Sequence, residues 1–299
     1  MSRPDILEIT FVISLIAVTG CWWYGYRHGN NISLIDGYYG LASFVHVVVT
    51  YTLWDDRTTQ GLLVTIVVGL WSLGLGQALA RRYWEERGHG GDKRYRAAME
   101  SFGLGGLKSY GLAAPQAVLI AVLNLPIQLA IMTHDDMKAI GWLGLAVIAI
   151  GGSCEVVANR QLEVYRKAGH PSGSTLMTGL WGWSRHPNYF GNTTVYVGAF
   201  LVALSDTDLW WTAVAPLVIL YTLRWGVFGT GVLGMDKVML EKRAGNHVYL
   251  DYVARTPAFV PRPPALSSSA RQRVVLGDEF EDLPPGRDVR RRGARRAAP

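Results

Sequence analysis

"AIGWLGLAVIAIGGSCEVVA", residues 139–158, decides the fold. A helix needs roughly 20 consecutive, mostly apolar residues to cross the hydrocarbon of a bilayer, and this run supplies them. Working outward, six more blocks read the same way: 6–24, 36–54, 60–80, 112–133, 189–205 and 209–230. A soluble chain of 299 residues would spread its apolar side chains over one or two cores. Here they come in long blocks, so nearly every helix of a soluble fold would have to be apolar all round. The expected fold class is all-α: a polytopic membrane protein with about seven transmembrane helices.

The flanks of these blocks set the orientation. The first block lacks a basic start and ends in Cys21-Trp22-Trp23-Tyr24. That suits an interfacial aromatic belt and not the small-residue site of a cleaved signal peptide. Asp55-Asp56-Arg57, His134-Asp135-Asp136 and Asp206/Asp208 fall in alternate connections, which are acidic. The other connections are basic: Arg81, Arg82, Arg87, Lys93, Arg94 and Arg96 in one, and Arg160, Arg166, Lys167 and Arg185 in another. Lys/Arg-rich loops stay cytoplasmic. The N-terminus is therefore expected outside or in a lumen and the C-terminus in the cytoplasm, in a plasma membrane or endoplasmic reticulum. The formal charge of +6 then belongs to loops and tail facing membrane lipids, with no nucleic-acid partner.

From Arg262 the composition turns to Pro, Ser, Arg and acidic residues, ending "GRDVRRRGARRAAP". Residues 264–299 read as a disordered basic tail, and residues 1–263 as the transmembrane domain. Arg287 to Arg296 suit anionic headgroups or a sorting signal, or serve as a plain solubilising tail. Cys21 and Cys154 lie inside apolar blocks and read as small buried hydrophobes. No phosphate-binding GxxxxGK[ST], HExxH or GxSxG is present, and the seven His make no pair at metal-ligand spacing, so no metal is expected. His46 stands alone in the second block and reads as a structural His hydrogen-bonded across helices.

The chemistry concentrates in "GLWGWSRHPNYFGN", residues 179–192. The preceding helix turns polar as "NRQLEVYRKAG" (159–169), placing Asn159, Arg160, Glu163 and Arg166 on turns that leave the membrane. The next helix is predicted to begin near Pro187, a favoured first-turn residue, with Ser184 where a cap belongs. Free N–H groups and the dipole at a helix start, joined by Arg185, His186 and a reaching Arg166, make an anion site. Trp181, Trp183 and Tyr189 add flat faces for a heterocycle. An interfacial anchor would explain the Arg and Trp, but not His-Pro-Asn in register with them.

At these residues a family resemblance enters. "GLWGWSRHPNYFGN" resembles the GLW-x-x-SRHPNYFGE signature of the steroid 5-alpha-reductase-like family, especially its bacterial-type branch of membrane proteins. "NISLIDGYYG" (31–40), "GLWSLGLGQALARR" (69–82), "GDKRYRAAM" (91–99), "CEVVANRQLEVYR" (154–166) and "GVLGMDKVMLEKRAGNHVYLDYVARTPAFVP" (231–261) are similar, in order, to further family segments. The resemblance covers about residues 31–263. It implies a seven-helix reductase fold and an oxidoreductase using NADPH on an activated carbon–carbon double bond. Carried over by position, the cofactor residues are Asn159, Arg166, Arg185, His186, Asn188, Tyr189, Asn192 and Asp236. It also implies a lipophilic small-molecule substrate of sterol, enoyl or polyprenyl type, entering from the bilayer between the early spans. The chain departs from the pattern at Asn192 (Glu in the family), Asn159 (Asp), Gly74 (Arg) and Ala78, where steroid reductases place a Tyr.

Hydride attack on the β-carbon of an enone leaves charge on the carbonyl oxygen, which needs a positioned donor. A carboxyl kept protonated by burial could serve, and Asp36 at the start of the second block is the candidate catalytic residue. Tyr39 joins it, three residues on along a helix; Asp36 reads equally as an N-cap. Two rivals remain. Membrane methyltransferases of the isoprenylcysteine/phospholipid type use S-adenosylmethionine with a similar RHP-x-Y-x-G stretch. They carry a C-terminal Glu-Glu pair where this chain has Asp236-Lys237 and Glu241-Lys242. A catalytically altered cofactor-binding scaffold is the other.

Overall fold

A computed structural model describes residues 1–86, 92–133, 137–170, 174–226, 231–263, 273–276 and 279–282. Most of the 264–299 tail, the acidic 134–136 connection and Arg87 lie outside the described residues. The chain divides into two compact units, residues 1–160 with 188–223, and residues 161–187 with 224–299.

The first unit is helical. Helix α1 (Arg3–Arg27) starts on a capping box, in which Ser2 and Asp5 satisfy each other's backbone N–H, with Pro4 in the first turn. It is followed by α2 (Leu34–Leu53), α3 (Thr59–Glu86), the short α4 (Lys93–Phe102), α5 (Tyr110–Ile131) and α6 (Ala139–Lys167), whose last turns pass into the second unit. Helix α7 (Pro187–Ala203) starts at the proline, as the spacing predicts. Each of the seven apolar blocks contains a helix, residues 227–230 of the last lying outside the described residues. The last differs in kind: a 3₁₀ segment, Thr207–Ala213, precedes an eleven-residue helix α8 (Val214–Arg224). Pro216 falls in the first turn of α8, where its missing N–H costs no bond.

Helices α1, α3, α5 and α6 are long and apolar enough to cross a membrane. In α1 the buried residues recur as Ile6, Thr10, Ser14, Val18 and Trp22, one stripe at four-residue spacing. The opposite faces are apolar too: Ile16, Leu70 and Ile150 are each 67% exposed. A water-soluble helix carries polar residues there. The chain is a helical membrane protein.

Without water to drive apolar faces together, membrane helices pack through small residues and interhelical hydrogen bonds. Both devices appear. A Cβ on Gly40 of α2 would lie 2.6 Å from the Gly76 Cα of α3, so the two backbones touch. On α6 and α7, Gly144 meets Gly198 and Gly151 meets Gly191 in the same manner, with Cβ-to-carbonyl distances of 2.6–2.9 Å. Between α1, α2 and α5, Gln128 accepts from Thr10 at 2.8 Å and Thr50 at 3.1 Å. His46, fully buried, bonds the Ser14 hydroxyl at 2.7 Å, the interhelical bond expected of it.

The second unit holds the end of α6, a 3₁₀ turn at Gly179–Gly182, α9 (Val232–Lys242) and α10 (His247–Arg255). Leu240, Tyr249, Tyr252 and Val253 form its core. In the tail, β1 (Arg273–Leu276) and β2 (Glu279–Asp282) pair antiparallel, Arg273 opposite Asp282. This ribbon is an addition to the all-α reading. Its Val274-Val275 pair suits strand geometry.

Candidate functional site

Two polar clusters of the first unit and one of the second take up most of the residues singled out from the sequence.

In the first unit the glycine contacts bring α6 and α7 close enough for short side chains to bridge them, and two rungs form. Asn192 Nδ2 donates to both Glu155 oxygens at 3.1 Å. One turn along each helix, Asn188 Nδ2 donates to Asn159 Oδ1 at 3.1 Å. Glu155 also accepts from Trp71 Nε1 at 2.7 Å, and Tyr39 Oη donates to Asn192 Oδ1 at 3.5 Å. Glu155 is only 3% exposed. Among the described residues its donors are all neutral, with no Lys, Arg or His paired to it. The Asn188 Oδ1 atom is buried and accepts no bond. An open acceptor in a low-dielectric interior is costly.

The second cluster of this unit lies at the start of α2. Asp36 accepts from Arg94 Nη2 at 2.8 Å and from Tyr95 Oη at 2.6 Å. Asp92 caps α4 through the Arg94 N–H and binds the guanidinia of Arg94 and Arg82, at 2.7 and 2.6 Å. Burial pushes the Asp92 carboxyl up, but hydrogen bonds from Arg94 and the Arg94 and Arg82 charges outweigh it and hold the carboxyl below its ordinary range. Burial and the Asp36 charge push the Tyr95 phenol up. Asp36 thus accepts on both oxygens, from a guanidinium and a phenol, where a donor to substrate was expected. Asp36 and Tyr39 do not bond each other. One turns to α4 and the other to α7.

In the second unit, Gly179 has φ of 62°, a conformation suited to glycine, and a Cβ there would strike the Gln161 amide 2.5 Å away. Gln161 in turn accepts from the Leu180 N–H at 3.0 Å. This fixes the segment that carries Arg185. Backbone bonds from Arg185 to Pro257 and from Arg262 to Trp183, each 2.9 Å, hold it against residues 257–262. Ser184 Oγ accepts from the His186 N–H at 3.1 Å and donates to the Phe259 carbonyl at 2.8 Å.

The Arg185 guanidinium donates to Asp236 Oδ2 at 2.6 Å and more weakly to Oδ1. Its Nη1 donates to the carbonyls of Val253 and Thr256 at 2.9 and 2.6 Å, which closes the C-terminal end of α10. His186 Nε2 reaches Asp236 Oδ1 at 3.0 Å. The Arg185 and Asp236 side chains are each 11% exposed. Burial raises the Asp236 carboxyl, but the His186 hydrogen bond and the Arg185 charge and hydrogen bonds outweigh it and hold it below the ordinary range.

The cofactor residues inferred from the sequence therefore divide. Asn159, Asn188, Tyr189 and Asn192 belong to the first unit; Arg166, Arg185, His186 and Asp236 belong to the second. The structure brings Arg185, His186 and Asp236 together, and pairs Asn188 with Asn159. Arg166 is exposed in the last turn of α6, and Tyr189 lies within electrostatic range of Arg94. Sequence reasoning passed over Glu155, Trp71, Asp92, Arg94 and Tyr95. An acidic residue inside an apolar block is a signal for Glu155; Asp92 and Arg94 carry none beyond a motif quoted without a role.

No curated protein and no solved structure matches the chain. Residues 22–256 match the family model described as Protein of unknown function (DUF1295), and the chain belongs to that family.

Proposed function

We propose that the protein is an NADPH-dependent membrane reductase, acting on an activated carbon–carbon double bond of a lipophilic substrate. In this reading all seven apolar blocks cross the bilayer, with the N-terminus outside and the C-terminus in the cytoplasm, and the fold is steroid 5-alpha-reductase-like. The observation that carries the reading is the α6–α7 ladder with its open acceptor. A nicotinamide carboxamide has N–H groups to give, and Asn188 Oδ1 is a buried acceptor without a donor. Asn188 and Asn159 would hold that end of the cofactor, with Glu155 and Asn192 one turn away. NADPH, when bound, supplies the hydride.

The chain's own residues supply the rest. Tyr39 donates to Asn192 over 3.5 Å, a long bond that is readily exchanged. Turned to a substrate carbonyl, the same hydroxyl stabilises the developing oxyanion, an effect of about 3–4 kcal/mol for a buried donor. Asp36 acts as an organiser, holding Arg94 and Tyr95 at the start of α2, and Ala78 leaves the phenol to come from Tyr39.

Titration of the purified protein in mild detergent with NADPH and with S-adenosylmethionine tests the reading. NADPH is expected to bind, and Asn188→Ala to weaken it about tenfold, the loss of one hydrogen bond near 1.4 kcal/mol. Binding of S-adenosylmethionine alone overturns the reductase and favours a methyltransferase. Binding of neither leaves a scaffold.

A further inference from the structure

With Arg185 committed to Asp236 and α10, two guanidinia among the described residues of the second unit, Arg224 and Arg243, have a buried Nη1 that donates to nothing, and only Arg243 lies over a ring of the unit's core. We propose that Arg243 is the anchor of a binding site for a phosphate monoester. Arg243 closes α9, but the cap is made by its backbone N–H, which donates to Met239 and Leu240 at 3.1 and 3.2 Å. Its side chain is not needed for capping. Its guanidinium lies over the Tyr249 ring, 5.0 Å from the centroid, and Tyr249 is itself 4% exposed and part of the unit's core. The ring therefore gives the cation a buried aromatic partner at a defined place. The Arg243 Nη1 atom is buried and donates to nothing, and among the described residues no carboxylate pairs with this Arg.

A planar fork held on an aromatic face, partly desolvated and without a counter-charge, is built for a bidentate oxyanion. The neighbouring sequence adds positive charge, which favours a dianion. Lys237 and Lys242 flank the site in sequence and are exposed. Of the nearby acids, Asp236 is engaged by Arg185, and Glu241 is exposed. Phosphate monoesters reach such a site from two sources, a nucleotide phosphate or a lipid headgroup.

The full chain in detergent is titrated with 2′-AMP and with inorganic phosphate, and the chain in nanodiscs with phosphatidate vesicles. The parent is expected to bind at least one probe, and Arg243→Ala to weaken it about 10- to 100-fold, the loss of one charge-assisted bond or slightly more. Arg243→Lys recovers part, since a point charge lacks the fork. Arg243→Gln, which keeps a polar, uncharged side chain with the first part of the aliphatic stem, loses binding with an unchanged melting temperature. Binding of 2′-AMP or phosphate assigns the nucleotide source, and phosphatidate alone the lipid source. A parent that binds none of the three, or an Arg243→Gln variant that binds like the parent, overturns the proposal. None of the probes carries a nicotinamide, so the result stands apart from the NADPH titration.

Discussion

The stretch Gly179–Asn192 falls into two halves that treat their polar groups in opposite ways. In the half before α7, Arg185 uses its donors on Asp236 and on two carbonyls of α10, and His186 joins the same carboxylate. In the half inside α7, Asn188 and Asn192 bridge to α6 and leave a buried acceptor open. The half with the conspicuous charge is saturated by the protein; the half with plain amides is not. A cation near a helix start therefore says little about a ligand until its hydrogen bonds are counted.

Removing Arg185 is the sharpest way to break this contrast. Arg185→Ala leaves Asp236 buried without its counter-charge and opens the end of α10, a loss of about 3–5 kcal/mol by comparison with other broken buried pairs. A large fall in melting temperature without any ligand is expected. An unchanged melting temperature would return Arg185 to the ligand-binding role that its position near Pro187 first suggests, where an interfacial Arg adds little to folding.

Gly191→Ala probes the other half. The new Cβ would stand 2.6 Å from the Glu155 nitrogen and the Gly151 oxygen, both backbone atoms that cannot turn aside. Overpacking of this kind costs about 1–3 kcal/mol, and the rungs at Glu155 and Asn159 should separate with it. The variant is expected to lose thermal stability and ligand binding together. Loss of stability with binding intact would separate the ladder from the site.

Acid gives the smallest effect and the cleanest sign. The folded Asp236 carboxyl is held below its ordinary value of 3.8. Its contribution to stability is complete above about pH 4 and is lost as pH falls through the depressed folded value. Melting followed from pH 6 downward should fall below pH 4 in the parent and stay flatter in Asp236→Asn. Parallel curves would show that other carboxylates govern acid unfolding.

The helices were legible because hydropathy is local. Each apolar block announced its helix, and Pro187 announced the start of α7. His46 was legible as a structural residue, though its partner Ser14, 32 positions away, was not. The candidate site was legible only as a set of names. Nothing near Arg185 in the chain shows that Val253 and Thr256 will offer carbonyls 68 and 71 residues later. Asp36 invited two local readings, a buried acid and an N-cap; the helix starts earlier, with Ser33 at the cap, and Arg94, 58 residues away, takes the carboxylate as its acceptor. Glu155 was hidden by the block that defined the fold, where one acid hardly changes the hydropathy.

The glycines of α6 and α7 have a geometric consequence. Gly144 and Gly151 are seven residues apart, and so are Gly191 and Gly198, each pair meeting the other backbone to backbone. Seven residues are close to two turns of a helix of 3.6 residues per turn, so both contacts fall along one seam. Two such contacts lock the register. Sliding α7 along α6 by a single turn would press Cβ-bearing residues into positions with room for none. Within the first unit, residues 139–160 of α6 and 188–203 of α7 therefore keep one register.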